Sequence, residues 1–106
     1  MGTQAKISLI GNIGDVQAAT SKSGKPYLRL SIAVDDPDGE TTWWSCIVAG
    51  KKVENMDALL KVFTKGRLVA LWGKPKFKAY LKQGQPAVSP SVLVDELPLV
   101  LDAKPK

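Results

Sequence analysis

An all-β domain interrupted by one helix is the fold this chain should adopt. Its strand-like segments alternate apolar and polar residues with a period of two, and clusters of Gly, Pro, Asn and Asp separate them. One stretch, after the third such segment, changes to the helical period. With 106 residues, 44% of them hydrophobic, the chain can build one compact core and is too apolar for a disordered tail.

The first strand is expected over Ala5 to Val16, with apolar Ile7, Leu9, Ile13 and Val16 and a kink where Gly11 and Gly14 interrupt it. Ser21-Lys22-Ser23-Gly24-Lys25-Pro26 has turn composition. Tyr27 to Val34 alternates cleanly. Leu28, Leu30, Ile32 and Val34 face one way, and Tyr27, Arg29, Ser31 and Ala33 the other, as in a half-buried strand. Asp35 to Glu40 forms a turn around Pro37-Asp38-Gly39. Thr42 to Ala49, rich in aromatic and branched residues, is the third strand.

Lys52 to Phe63 then reads as a helix, with Val53, Met56, Leu60 and Phe63 on one face and Gly66 suited to its end. Arg67 to Trp72 starts a fourth strand that continues through a lysine-rich stretch. Gln83-Gly84-Gln85-Pro86 is a hairpin tip, and Val88 to Leu101 returns as the fifth strand, where Pro90 and Pro98 imply edges or bulges. A helix between strands three and four of a five-stranded Greek-key barrel is the OB-fold arrangement, here with a projecting hairpin between strands four and five. The domain is expected over residues 1–101. Residues 102–106 are a short polar end, too small to pack.

The stretch Trp72 to Lys82 speaks most directly to function. If it is extended, Trp72, Lys74, Lys76, Lys78, Tyr80 and Lys82 share one face, and Pro75, Phe77, Ala79 and Leu81 the other. Like charges on neighbouring same-face positions repel, and a polyanion laid across them relieves the repulsion. The terminal aromatics offer flat surfaces to bases. Lysines with stacking platforms suit single-stranded nucleic acid. The competing reading is a lysine-rich edge strand that resists aggregation. A bulge at Gly73 and Pro75 would move Trp72 to the other face.

The net charge of +5 and the pI of 9.4 point to an anionic partner. No basic amphipathic helix is visible, which counts against a membrane surface, and no apolar run is long enough to cross a bilayer. No charged-then-apolar leader is seen, so a secretory signal is not expected. The chain has no histidine, the commonest general base and metal ligand. Its single cysteine, Cys46, excludes an internal disulfide and a thiolate metal cluster, suits a reducing cytoplasm, and reads as a buried thiol.

No cofactor or metal is implied. The acidic run Asp35, Asp36, Asp38 and Glu40 fails the calcium-loop pattern, which needs acids where Val34 and Ser45 stand. Gly11-Asn12-Ile13-Gly14 lacks the third glycine and the following helix of a dinucleotide loop. There is no phosphate-loop lysine motif, so neither nucleotide-driven unwinding nor any other enzymatic activity is expected. Trp43-Trp44 is different. Adjacent strand residues face opposite sides, so one indole can enter the core while the other stays exposed as a stacking surface or a subunit contact.

These residues resemble the bacterial single-stranded DNA-binding protein family. Lys6-Ile7-Ser8-Leu9-Ile10-Gly11-Asn12-Ile13-Gly14 is similar to its first-strand motif. Ser23-Gly24, the strand ending Ser31-Ile32-Ala33-Val34, Thr42-Trp43, Gly50-Lys51, Lys65-Gly66, Val69 and Gly73 follow in the family's order, over roughly residues 5 to 101. The resemblance implies an OB-fold that binds single-stranded DNA without sequence preference in replication, recombination or repair, as a homo-oligomer, tetramer or dimer. It puts Trp43 and Tyr80 at stacking positions and Lys6, Lys51, Lys65, Lys76 and Lys78 at basic ones. With the lysine face and the outward face of the second strand, the expected interface is Trp43, Tyr80, Trp72 and Tyr27 for bases, and Arg29, Lys6, Lys51, Lys65, Lys74, Lys76, Lys78 and Lys82 for phosphates.

The chain also departs from the family. Ala49 stands where the family has a stacking phenylalanine, Asp38 lies near another of its tryptophans, and Trp44 replaces a histidine tied to subunit contacts. The family's acidic tail tip, which recruits replication enzymes, is not seen before Lys106. The sequence is thus either a piece of a longer chain or a tail-less relative. Among tail-less relatives, an adaptor like primosomal replication protein N, binding single-stranded DNA and a helicase or another replisome protein, is the alternative. An RNA-binding OB domain would need a denser aromatic strip.

Overall fold

The computed structural model describes residues 5–101, apart from the side chains of Lys51 and Lys52. The short polar end expected at 102–106 lies outside the described residues. The strands are β1 (Ile7–Thr20), β2 (Pro26–Asp35), β3 (Thr41–Ala49), β4 (Leu68–Lys82), β5 (Gln85–Val94) and β6 (Leu99–Val100). A 3-10 turn at Gly50–Val53 and the helix α1 (Met56–Val62) join β3 to β4.

Strand β1 changes partners along its length. Residues 7–12 pair with β4 and residues 12–20 with β2. The register shifts between Ile13 and Asp15, so the predicted kink is a bulge at Gly14. Parallel pairing of β3 with β5, at Ser45 opposite Ser91, completes the ring β1-β2-β3-β5-β4-β1. Closure removes the edges within the ring, while the β4–β5 hairpin beyond it stays open along both outer sides. The inward residues are those the alternation marks: Leu28, Leu30 and Ile32 from β2, Cys46 and Val48 from β3, Val69 and Leu71 from β4, and Val92 and Val94 from β5. Each large apolar side chain buried this way stabilises the fold by about 1.5–3 kcal/mol.

Three elements differ from the sequence expectation. Strand β1 runs on to Thr20 because Gln17–Thr20, though it has no large apolar side chain, pairs with the start of β2. The helix is shorter than Lys52–Phe63 and has another phase. Val53 is buried from the 3-10 turn, the chain breaks, and Asn55 then caps α1 by accepting from the Ala58 N–H at 3.2 Å. Counting restarts there, so Leu59 and Phe63 enter the core and Leu60 is exposed.

The expected fifth strand is two strands. Asp95 to Pro98 leaves the ladder, and β6 resumes on the same side of β4. The detour stays anchored because the Asp95 N–H donates to the Trp72 carbonyl at 2.9 Å and the Leu101 N–H to Leu68 at 2.8 Å. Pro90 is tolerated inside β5 because β3 pairing begins only at Ser91, leaving that edge open.

Candidate nucleic-acid interface

The pairing registers decide which outward side chains meet. On β2 and β3, Tyr27 stands opposite Ala49, Arg29 opposite Ile47, Ser31 opposite Ser45 and Ala33 opposite Trp43. On β5, Ser91 and Leu93 lie beside Ser45 and Ile47. Across the hairpin, Lys74 faces Leu93, Lys76 faces Ser91, Lys78 faces Ser89, Tyr80 faces Ala87 and Lys82 faces Gln85. One continuous outer surface therefore runs from Tyr27 and Arg29, over β3 and β5, to the hairpin lysines.

Trp43 is the anchor of this surface, 55% exposed while its neighbour Trp44 is partly buried. The ring of Trp43 lies over Gly14. A Cβ built there would overlap ring atom Cζ3 and sit 2.6 Å from Cη2, so only glycine lets the indole settle at the bulge. Trp44 takes the inward side and meets Phe77 edge-to-face, with centroids 6.1 Å apart, at the root of the hairpin. Counting back two residues from Ser45 and Ser91 puts Trp43 at the level of Ser89, whose hairpin partner is Lys78.

Pairing in β4 is unbroken from Leu68 to Lys82, so the bulge that would have displaced Trp72 does not form. Trp72, Lys74, Lys76, Lys78, Tyr80 and Lys82 share the outward face and are all exposed. No acid stands opposite Lys74, Lys76, Lys78, Tyr80 or Lys82. Among the described residues, no carboxylate comes within ion-pair distance of the four hairpin lysines. Their charge is uncompensated, which draws a polyanion. The tip is a two-residue turn with positive φ at Gln83 (53°) and Gly84 (79°), the mirror-image turn whose twist matches a hairpin.

The other predicted contacts divide. The Arg29 Nε donates to the Ser45 Oγ at 3.1 Å, laying the guanidinium along the outer face of β3. Tyr27 is half-buried beside Ala49. Lys65 is exposed in the turn tied to β1 by the Gly66 N–H donating to the Ile13 carbonyl at 2.7 Å, near the bulge under Trp43. The side chain of Lys51 lies outside the described residues. Lys6 and Trp72 sit apart, across β4, in a shallow pocket with Asp95 and Glu96, and the Lys6 Nζ is 3.3 Å from the Asp95 carboxylate. That exposed pair is worth only about 0–1 kcal/mol.

The acidic turn is occupied by its own backbone and neighbours. Asp35 accepts from the Thr41 hydroxyl at 2.7 Å, Asp36 from Thr42 at 3.4 Å, and Asp38 from the Glu40 N–H at 3.1 Å. Sequence reasoning missed Gly14 as the seat of Trp43, and Lys25 and Ile47 as neighbours of Tyr27. Only the cross-strand register brings Gly14 to Trp43 and Ile47 to Tyr27.

A family model, the single-strand binding protein family, matches residues 4–100. The chain belongs to this family. Solved structures with the same fold include the mitochondrial single-stranded DNA-binding protein of S. cerevisiae, 24% identical, with a TM-score of 0.72 over 94% of this chain and 97% of that one. The small single-stranded DNA-binding protein of Streptomyces coelicolor is 17% identical, with a TM-score of 0.69 over 89% and 92%. A Plasmodium falciparum family member in complex with single-stranded DNA is 21% identical, with a TM-score of 0.68 over 96% and 100%. No curated protein sequence gives a significant match. The OB-fold expectation stands: a closed five-stranded ring with one helix between β3 and β4.

Proposed function

We propose that this protein binds single-stranded DNA without sequence preference, in replication, recombination or repair, and has no catalytic role. The observation that carries the reading is the shared outer surface of Trp43, Tyr80 and the uncompensated hairpin lysines. Lys74, Lys76, Lys78, Lys82, Arg29, Lys51 and Lys65 contact phosphates, while Trp43, Tyr80 and Tyr27 take bases on their faces. Aromatic faces accept any base, which accounts for sequence neutrality. Lys6 and Trp72, beside two acids, form the outer margin of this surface.

Self-association belongs to the same reading. Ile10, Ala70 and Leu99 form a row across β1, β4 and β6, and Leu101 and Leu68 extend it, away from Trp43. Ile10 and Leu99 are more than half exposed, as suits a contact with a second copy. Sedimentation should find a dimer or larger; a monomer at micromolar concentration rejects this part. A reducing compartment such as the cytoplasm suits Cys46, which is free and buried.

The experiment is a binding titration with oligo-dT and with a duplex of equal length at several salt concentrations. The account expects preference for the single strand and a log–log salt slope of about −0.7 per phosphate contact. Equal affinity for the duplex, or a flat salt response, rejects it.

A further inference from the structure

The β4–β5 hairpin has a second face that the functional reading does not use. Within the barrel, the odd-numbered residues of β4 and the even-numbered ones of β5 line the core, as Val69, Leu71, Val92 and Val94 do. The same alternation runs on past the barrel without a break in register. There it sets Phe77 opposite Pro90, Ala79 opposite Val88 and Leu81 opposite Pro86, a face with no polar or charged side chain. Phe77, Leu81 and Val88 are each more than half exposed. Trp44 meets the root of this face at Phe77, edge-to-face. The lysines need only the opposite face, so a continuous apolar one marks a contact.

We infer that this face packs on the same face of a second copy, the two hairpins stacked sheet on sheet about a two-fold axis. Three features select that occupant. The edges of the hairpin do not invite a strand. Counted from the two-residue turn, Pro86 and Pro90 stand where a β5 N–H would point away from β4, and Pro75 stands likewise on β4. The missing donors block edge pairing and leave the face. That face has no charged or hydrogen-bonding side chain to orient a foreign partner or to meet a phosphate, whereas a two-fold axis matches it to itself. Stacking also leaves Lys74, Lys76, Lys78 and Lys82 of both copies on the outer sides, where like charges do not meet and stay open to a polyanion. The contact covers roughly 400 Å² per copy, about half of what a standard interface takes from each partner, so it joins copies that are concentrated or already tethered.

The inference is independent of the single-strand reading, since its tests contain no DNA. Val88→Cys places a thiol at the centre of the face, and Ser89→Cys, the next residue, places one among the lysines. Cys46 is buried and does not compete. With a short bis-maleimide at about 0.1–1 mM protein, the range for so small a contact, the first variant should give a cross-linked pair about 5-fold or more faster than the second. Equal rates, or no pair from either, overturn the inference, and the face would then serve another protein or none. Sedimentation of the unaltered protein over the same range should show its mass growing beyond that of its dilute state. Leu81→Lys, which charges the exposed tip of the face, should stop that growth. No growth in the unaltered protein, or growth that survives Leu81→Lys, overturns the inference, and this result decides if the cysteine variants do not fold. A monomer at low concentration would reject the surface at Ile10 and Leu99 and leave the hairpin contact to be judged by these two tests.

Discussion

At the residue scale, small changes beneath the interface should matter as much as changes within it. Gly14→Ala places a methyl against the Trp43 ring, whose far atoms can swing away. The cost to stability should be small, below about 1 kcal/mol, because the displaced ring is more than half exposed. Oligo-dT affinity should fall several-fold, and the emission of the free protein should change. An unaltered Trp43 environment would contradict this role for Gly14. Cys46 gives a second test. Burial pushes its thiol up from 9.0 to about 12. Above pH 9 the unfolded chain releases this proton and the folded chain keeps it, so ionisation favours unfolding. The group should be silent below about pH 8 and should erode stability between 9 and 12, by up to about 1.4 kcal/mol per pH unit. Denaturant melts of the parent and of Cys46→Ala at pH 8 and pH 10 check this. The stability advantage of the parent should shrink at the higher pH.

At the element scale, the hairpin can lose a contact without losing its form. Tyr80 is 44% exposed and lies outside the core, so Tyr80→Ala should leave the melt nearly unchanged and weaken oligo-dT binding by about 5-fold or more. Unchanged affinity would mean that bases do not reach the hairpin. The face of each strand was legible beforehand because alternation needs no knowledge of partners: Leu28, Leu30 and Ile32 point inward as read, and the lysines of β4 share one face. The helix phase was not legible, because the 3-10 turn and the Asn55 cap insert a break that shifts Leu59 into the place expected of Leu60. Nor was the split of β5 from β6, since Pro98 alone does not say that the chain stays on β4.

At the scale of the whole molecule, the barrel carries two kinds of outward surface that meet along β4. One spans β2, β3 and the hairpin and is basic and aromatic. The other spans β1, β4 and β6 and is apolar around Ile10 and Leu99. The proposed assembly would use the second surface and leave Trp43 and the hairpin tip to the strand. The net charge of +5 supports attraction from a distance, while the proposed stacking would supply contacts that salt does not screen. The measurement that bears most directly on this account is tryptophan quenching by oligo-dT, compared between the parent chain and Trp43→Phe. The account predicts strong quenching in the parent, most of it lost in the variant, and none with duplex of equal length. Quenching that survives intact in Trp43→Phe would contradict it, because the bases would then be meeting Trp72 or Trp44 rather than the surface built around Trp43.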